Sequence, residues 1–432
     1  MKKILGFFIV LLLLLVAGVS FYLMADRTKP EVLLVPDVSA VSAKKEFTVT
    51  AKAERSGVKS LRVTVNQGQK DIVIVQKKFS PAPKSMTEKF TLESAGLREG
   101  AFELAVVVQD NSIFNFGDGN TERITKTMNL DSKPPVVAVL STAHYIKPGG
   151  ADAVVYAVNK PVAKSGVQVG DDFFPGFRLD SGNYVCIYAM PYGIDPARFS
   201  PKLTAEDTAG NEKSTLFRNT ILPRKFRSDR INISEEFLNS KMPQFYDIYP
   251  DIKDPVELYI KVNGELRTKN LATLRQLGAQ SAPRMLWEGA FLRLPNAKPM
   301  AGFGDHREYF YKDRKIDEQT HLGVDLASLE HAQVPAANTG RVVFTGFFGI
   351  YGQTVIIDHG LGVQTLYSHL SQIAVKEGDP VKKGDLIGFT GATGLAGGDH
   401  LHFGVVLSGV EVMPIEWWDQ HWIQDNITGK FQ

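Results

Sequence analysis

Near the C-terminus lies the segment Gly397-Gly398-Asp399-His400-Leu401-His402-Phe403-Gly404. Polar and apolar side chains alternate within it, and this period of two is typical of a β-strand. On such a strand His400 and His402 point to one face, while Leu401 and Phe403 point to the other. Two histidines that share one face of a strand are candidate metal ligands, because imidazole is a common ligand of transition metals.

Two upstream segments carry side chains of the same chemical type. His321 begins the run His-Leu-Gly-Val-Asp, which ends at Asp325, and His369 lies within Leu-Tyr-Ser-His-Leu. Since residues four apart share a face of a strand, we expect His321 and Asp325 to lie on one strand and to point into the same groove as His400 and His402. Imidazole and carboxylate suit Zn²⁺, and three protein ligands with an open fourth position are typical of a catalytic zinc site.

These segments resemble the lysostaphin/LytM-type zinc metallopeptidases, which cut peptidoglycan peptides. The resemblance rests on His-x-x-x-Asp, Leu-Tyr-x-His-Leu and His-x-His, preceded by Val-Lys-Lys-Gly-Asp-Leu-Ile-Gly-Phe-Thr-Gly-Ala-Thr-Gly at 381–394. It covers residues 296–418, and it implies an antiparallel β-rich peptidase domain in that region.

The resemblance also implies a role for five side chains. It makes His321, Asp325 and His402 the ligands of one Zn²⁺ per chain, and it makes His369 and His400 the catalytic histidines. Zinc with an open position lowers the pKa of its bound water to near 7 in well-studied hydrolases and polarises carbonyl groups. A histidine beside it can accept the proton of the water, hydrogen-bond the oxyanion or protonate the leaving amine. The sequence does not assign these jobs between His369 and His400.

An arginine position differs from the family pattern, which usually has an arginine soon after Phe-Gly. Here the residues that follow are Phe303-Gly304-Asp305-His306-Arg307, and then Tyr309 and Tyr311. Which of these side chains lines the substrate groove does not follow from the sequence.

The predicted function is hydrolysis of peptide cross-links of peptidoglycan in cell wall remodelling by a zinc endopeptidase. One alternative is a non-enzymatic LytM-type regulator, or a murein-binding activator of a wall amidase, because some relatives have lost their metal ligands. Another is a metallopeptidase that acts on proteins, because zinc-dependent amide hydrolysis does not reveal the neighbouring side chains. All five residues are present here, which favours the enzyme.

The N-terminus indicates where this chemistry takes place. After Met1-Lys2-Lys3 the stretch 4–25 carries no charge, and as a helix it would span about 33 Å, enough for a bilayer core of about 30 Å. Because a cleaved signal peptide usually has a shorter apolar core, we expect residues 1–28 to form an uncleaved transmembrane anchor. The two lysines favour a cytoplasmic N-terminus. The protein would then cross the bacterial inner membrane once, with its catalytic domain on the periplasmic or extracellular side.

The predicted fold class is mainly β, with two β-sandwich modules before the enzyme. Alternation around Leu61, Val63 and Val65 predicts short antiparallel strands. Similar endings, with Asp110 before Gly119-Asn120 and Asp207 before Gly210-Asn211, predict immunoglobulin-like modules at 29–134 and 135–224. They would act as spacers, or they would bind the wall, wall-synthesis proteins or divisome proteins.

A short helical connector is predicted at 225–295, before the peptidase domain at 296–432. Asp254-Pro255 is a favourable helix start, with aspartate as the cap and proline in the first turn. Apolar residues follow at spacings of three or four, and Asn263-Gly264 is a candidate interruption. The connector either partly covers the groove in the resting protein or braces the catalytic domain.

Composition restricts the partners further. A net charge of +2 over 432 residues argues against nucleic acid as a partner. Cys186 is the only cysteine, so the chain cannot form an intramolecular disulfide. The partners that remain expected are peptidoglycan peptides, which the family resemblance implies, and the inner membrane, which the uncharged stretch 4–25 implies.

Overall fold

The computed structural model describes residues 9, 11–16, 18–19, 26–68 and 70–431. The chain forms two compact units, Met1–Pro135 with Glu206–Glu212 and Val136–Ala205 with Lys213–Gln432. The predicted anchor at 1–28 lies largely outside the described residues. Among the residues that are described, no helix is both long enough and apolar enough to span a bilayer.

Two sheets with a shared apolar core form the first unit. Its strands are β1 (Glu31–Val35), β2 (Ala40–Val41), β3 (Phe47–Lys52), β4 (Val58–Gln67), β5 (Lys70–Lys78), β6 (Ser85–Phe90), β7 (Gly100–Asp110) and β8 (Thr121–Leu130). One sheet has the order β1-β3-β6 and the other β2-β8-β7-β4-β5. The alternation predicted in β4 is confirmed, because Leu61, Val63 and Val65 are fully buried in this core. The immunoglobulin-like character of the module stays a prediction.

A second set of short strands follows. They are β9 (Val137–Val139), β10 (Tyr145–Ile146), β11 (Ala151–Val158), β12 (Val162–Val169), β13 (Asp172–Pro175), β14 (Phe177–Arg178), β15 (Tyr184–Ala189), β16 (Lys202–Asp207), β17 (Glu212–Leu216) and β18 (Thr220–Ile221). Two four-stranded sheets have the orders β14-β15-β11-β9 and β13-β12-β16-β17. Residues 136–205 belong to the same compact unit as the C-terminal strands, and buried side chains of both regions join one apolar cluster.

Three α-helices follow the strand β19 (Ser228–Asn232): α1 (Glu235–Lys241), α2 (Pro255–Lys261) and α3 (Arg267–Gly278). The predicted cap is confirmed, because the Asp254 carboxylate accepts hydrogen bonds from the backbone N–H groups of Val256 and Glu257. Asn263-Gly264 does not end the helix but lies in a π-helical turn, Val262–Leu266, that joins α2 to α3. The helical part ends at Gly278, and residues 279–295 of the predicted connector form no helix.

The three helices pack on the C-terminal strands through an apolar core. Leu238, Phe245 and Leu258 are fully or almost fully buried there, together with Ile356 and Leu366 of the strands. Burial of each such side chain is worth about 1.5–3 kcal/mol, so this contact holds the helices firmly in place. The helical segment therefore packs tightly on the C-terminal domain, and its predicted role as a brace or as a partial cover of the groove stays a prediction.

The C-terminal region is antiparallel and β-rich, as predicted. Its strands are β20 (Lys298–Ala301), β21 (Asp305–Tyr311), β22 (Arg314–His321), β23 (Val324–Ala327), β24 (Gln333–Pro335), β25 (Gly340–Phe347), β26 (Gln353–Gly360), β27 (Val363–Leu370), β28 (Gln372–Ile373), β29 (Pro380–Val381), β30 (Leu386–Phe389), β31 (Leu401–Leu407) and β32 (Val410–Val412). The largest sheet has the order β20-β23-β31-β27-β26-β25-β29, with β32 on β31. Two smaller sheets are β24-β30-β28 and β19-β21-β22, and in the latter β19 runs parallel to β21. Short helices, α4 (Pro414–Trp417) and α5 (Gln420–Asn426), lie after the last strand.

Candidate metal centre

His321 and Asp325 lie on different strands, so the prediction of one shared strand is wrong. His321 is the last residue of β22 in the three-stranded sheet, whereas Asp325 lies in β23 of the largest sheet. The chain changes sheets at Leu322-Gly323. Gly323 lies against the His402 ring, where an added Cβ would be 2.4 Å from Nε2. Glycine therefore allows the chain to leave β22 while passing this close to His402.

His402 lies on β31, directly opposite Asp325 of β23 in the strand register. The alternation predicted from Leu401 to Phe403 is confirmed by the position of these residues in β31. His400 precedes the strand and forms only an isolated bridge with Gly391, so its predicted place on the same strand is wrong. The strand ends there because the glycine-rich turn before it leaves the sheet.

Three atoms converge at the centre of the site. Nε2 of His321 lies 2.9 Å from Oδ1 of Asp325 and 3.0 Å from Nδ1 of His402, and the last two atoms are also 3.0 Å apart. Ligands of a tetrahedral zinc with bonds of about 2.0–2.1 Å are separated by about 3.3 Å, so this triangle is close to the required size. The donor set of two imidazoles and one carboxylate is also that of a zinc site. These residues fit the metal that the resemblance implies.

Hydrogen bonds outside the triangle orient the candidate ligands. Nδ1 of His321 lies 2.8 Å from the carbonyl oxygen of Gly302, which accepts its proton and leaves Nε2 as the donor atom for a metal. Nη2 of Arg307 donates to Oδ2 of Asp325 at 3.2 Å, so Oδ1 is the carboxylate oxygen that faces the two histidines. The ring of Tyr351 packs beside His402, with centroids 5.4 Å apart.

The pKa values of Asp325 and His402 are shifted by burial and by the neighbouring groups. Burial raises the pKa of Asp325, but the neighbouring charge of His321 and hydrogen bonds from the histidines outweigh it and hold this pKa well below its ordinary value. Burial lowers the pKa of His402 to about 4. The site therefore favours an ionised carboxylate beside a neutral imidazole, which are the protonation states that bind a metal.

His369 and His400 lie together beside the three candidate ligands, with ring centroids 4.9 Å apart. Nδ1 of His369 donates to the carbonyl oxygen of Thr393 at 2.8 Å, and Nδ1 of His400 donates to that of Gly398 at 2.8 Å. Both rings line the cleft, and Nε2 of His400 lies 3.6 Å from Oδ1 of Asp325. His369 has a φ of 63°, a left-handed conformation that is uncommon for a residue with a side chain.

The environments of the two rings differ. Burial, together with the neighbouring His400 and His402, holds the pKa of His369 well below its ordinary value. Burial also lowers the pKa of His400, but the hydrogen bond and charge of Asp325 raise it, and the net direction is upward. The five predicted residues are thus brought together in one site with unequal affinities for protons.

All five side chains line one cleft with a volume of about 610 Å³. The opposite wall comes from the helical segment, through side chains that include Phe237, Lys241, Tyr259, Asn263 and Arg267. The helical segment also holds the glycine-rich turn beside His369: Lys241 Nζ donates to the carbonyl oxygen of Ala392 at 2.7 Å, and Gln244 Oε1 accepts from the N–H of Gly394 at 2.8 Å.

The structure distinguishes the candidates that follow Phe303-Gly304. Arg307 and Tyr309 line the cleft, whereas His306 does not. His306, Glu308 and Glu318 form a second group with metal-binding side chains, but Lys315 bridges the two carboxylates at 2.5 and 2.7 Å and provides their counter-charge. The sequence predicted a helical segment at the groove as one of two alternatives, but the side chains of its wall could not be predicted, because no spacing pattern connects α1 or α3 with the histidines.

Part of the chain is similar to proteins of a known family. Residues 319–414 match the model of Peptidase family M23. The DD-carboxypeptidase/endopeptidase Mpg of Neisseria meningitidis is 42% identical over 95 residues, which cover 22% of this chain and 22% of that protein. The peptidoglycan DD-endopeptidase ShyB of Vibrio cholerae is 35% identical over 124 residues, which cover 28% of each chain. The catalytic domain of the antimicrobial peptidase lysostaphin from Staphylococcus simulans superimposes with a TM-score of 0.26 at 28% identity, over 30% of this chain and 98% of that one.

The matches to these two curated relatives each span less than a third of the relative's own length. Within this chain the region that matches the family model contains the three candidate ligands and both further histidines. Residues 319–414 are therefore similar to the peptidase domain of family M23, the LytM/lysostaphin type.

Proposed function

We propose that this protein is a zinc-dependent endopeptidase that hydrolyses peptide cross-links of peptidoglycan. The observation that carries the proposal is the triangle of His321 Nε2, Asp325 Oδ1 and His402 Nδ1, with sides of 2.9–3.0 Å, beside two further histidines in an open cleft. The relatives named above include a peptidoglycan DD-endopeptidase, and this supports peptidoglycan as the substrate.

The residues of the site would have two different roles, metal binding and proton transfer. His321, Asp325 and His402 would hold the metal, and Arg307 keeps the Asp325 carboxylate turned toward it. Zinc held there would supply a Lewis acid that polarises the scissile amide and acidifies water. His369 and His400 each present Nε2 to the cleft, where a neutral ring accepts a proton and a protonated ring donates one to the oxyanion or leaving amine.

A non-enzymatic regulator or an activator of a wall amidase is the competing function. Such a protein needs the fold and a binding surface but does not need a complete set of metal ligands. The intact ligand triangle and the two additional histidines favour the enzyme.

The place of action is also a proposal. The uncharged stretch 4–25 supports an inner-membrane anchor, with the catalytic domain on the periplasmic or extracellular side. The β-modules would then lie between the membrane and the wall, where wall-synthesis or divisome proteins are possible partners.

Digestion of purified peptidoglycan by the zinc-loaded chain tests the function, with the released fragments identified by mass spectrometry. We expect cross-linked peptide dimers to be converted to monomers by cleavage of one amide. Incubation of a wall amidase with the same chain, and of an unrelated unfolded protein, tests the two alternatives. Failure of a folded, zinc-loaded chain to release any peptide fragment would contradict the proposal.

A further inference from the structure

We propose that the helical wall of the cleft binds a free carboxylate of the substrate, through Arg267 of α3 and Lys241 of α1. This inference rests on the proposed function and narrows it to a substrate class. The preferred substrates are peptides that carry an ionised carboxylate close to the scissile amide.

Arg267 is a partly buried cation in the cleft wall. Its Nε donates to the carbonyl oxygen of Asn263 at 3.1 Å, and its Nη2 donates to Oδ1 of the same residue at 2.6 Å. The Asn263 amide is itself fixed by a 2.6 Å hydrogen bond to Asp317. The guanidinium is therefore oriented by neutral groups, and within the part of the chain that the structure describes no carboxylate forms an ion pair with it.

Lys241 gives the same wall a second cation. Its ammonium group is partly buried and donates to the carbonyl oxygen of Ala392 at 2.7 Å. No carboxylate of the described residues forms an ion pair with it either. The adjacent residue, Thr393, accepts the hydrogen bond from His369, so this cation lies close to the predicted catalytic histidines.

The acidic groups of the cleft do not neutralise these cations. Asp325 is engaged by Arg307 and by the histidines, and Glu236 is an exposed side chain in the first turn of α1. Two carboxyl groups behind the wall act on Arg267 without forming an ion pair with it: Asp317 accepts from the Asn263 amide, and the buried Glu411 accepts from Tyr351. Partial removal of a cation from water without a carboxylate partner costs free energy, which an anionic ligand recovers. Arginine suits this role because its planar guanidinium binds a carboxylate through two hydrogen bonds.

The substrate chemistry matches this wall. Stem peptides of peptidoglycan that are joined directly to one another keep free carboxylates near the scissile amide. A bridge of glycine residues has none within its length, and a generic protein substrate has none at a fixed position. The cations on the helical wall therefore favour direct cross-links over neutral bridges.

The test uses the full zinc-loaded chain and two synthetic cross-linked peptides that differ only in one group, a free carboxylate or its carboxamide beside the scissile bond. We expect kcat/KM for the carboxylate form to exceed that for the amide by roughly 10-fold or more, the usual scale for a hydrogen bond to a charged group. In Arg267→Gln this ratio should fall close to 1, mainly through KM. Lys241→Gln should lower it in the same direction, and Arg267→Lys should retain part of it.

Lys269→Gln is the matched control, because Lys269 lies on α3 two residues beyond Arg267 and is exposed beside Glu265. It should keep the wild-type ratio. Equal cleavage of both peptides by the wild type, or an unchanged ratio in a folded Arg267→Gln, would overturn the inference while leaving the endopeptidase proposal intact. A binding measurement decides the inference even if neither peptide is cleaved. The affinities of zinc-loaded His369→Ala for the two peptides are compared by calorimetry, and equal affinities would overturn the inference. A preference for the carboxylate peptide that disappears in the double variant His369→Ala, Arg267→Gln would support it. Absence of cleavage of both peptides by the wild type would count against the proposed function alone.

Discussion

His369 has both an uncommon backbone conformation and a buried side chain. Its backbone is in the left-handed region, and its ring is buried with Nδ1 bound to a backbone carbonyl. Unfavourable backbone conformations persist where the surrounding structure enforces them, and they are frequent at functional sites. This residue is therefore the most informative one to change.

His369→Ala should retain zinc, because His369 is not one of the three converging side chains. Its turnover of peptidoglycan should fall by roughly 100-fold or more, the scale for a positioned acid or base. Metal analysis and turnover are measured on the same preparation. The control is His421→Ala, an exposed histidine whose loss should change neither quantity. Near-normal turnover in His369→Ala would remove this residue from catalysis.

His402→Ala addresses the metal itself. Loss of one of three ligands should reduce the bound zinc from one per chain to a small fraction under conditions in which the wild type is saturated. Elemental analysis after dialysis against a weak chelator measures the content. Full stoichiometry in this variant would exclude His402 from the ligand set.

Glu411 provides a pH-dependent contribution to stability. It is buried, accepts a hydrogen bond from Tyr351 at 2.8 Å, and has its pKa raised by burial from 4.5 to about 7. The folded state then binds more protons than the unfolded state between these two values, so the free energy of unfolding decreases as pH rises from 4.5 to 7. The shift corresponds to about 3 kcal/mol.

Glu411→Gln should lack this decrease, so it should gain on the wild type as pH rises through that window. Denaturant unfolding at several pH values measures the difference. The exposed Glu330→Gln serves as the control. Parallel pH profiles of wild type and Glu411→Gln would show that the carboxyl is already ionised in the folded protein.

The helical segment forms one wall of the cleft and also packs against the C-terminal strands, and the sequence alone did not show that it does both. Helices α1 to α3 line the cleft, and they also bury Leu238, Leu258 and Leu274 against the strands. A chain that begins at Asn296 loses this core. We expect it to unfold at a lower temperature and to cleave peptidoglycan no faster than a chain that begins at Asp26, as measured by calorimetry and by turnover per bound zinc. Faster cleavage by an equally stable truncated chain would instead identify the helices as an inhibitory cover.

Much of the C-terminal region could be predicted from local patterns. The alternation around His402 gave a strand, and the family resemblance grouped five residues that the structure brings into one cleft. The shared strand of His321 and Asp325 was wrong, because spacing carries no information about a change of sheet at Gly323. The roles of Arg307 and Arg267 depend on contacts between segments distant in sequence, and no periodicity reveals those.

For the molecule as a whole, the second set of strands, β9–β18, is joined to the C-terminal domain by polar contacts. Glu416 of α4 accepts hydrogen bonds from Arg224 at 2.6 Å and from the N–H of Ala151 at 3.2 Å. Lys430 also pairs with the fully buried Asp152. A spacer needs no such buried contacts, so residues 136–205 are structurally part of the catalytic unit.

Arg224→Ala should destabilise this unit strongly. It leaves the Glu416 carboxyl buried without its cation, and loss of one partner from a buried pair costs about 3–5 kcal/mol. Arg275→Ala is the matched control. Arg275 of α3 forms an ion pair with Asp172 of β13, but the Arg275 side chain is exposed. That change should cost less than about 1 kcal/mol. Equal effects in denaturant unfolding would show that the Arg224–Glu416 pair is not sequestered from water.

The strand change at Gly323 has a consequence for how the protein is assembled. His321 ends one sheet, whereas Asp325 and His402 face each other in another, so a shared metal would act as a cross-link between two independently paired layers. Binding of the metal would then also stabilise the contact between the β21–β22 hairpin and the largest sheet. Metal affinity would in this way report the strength of a tertiary contact, and substitutions in the hairpin far from any ligand would change it.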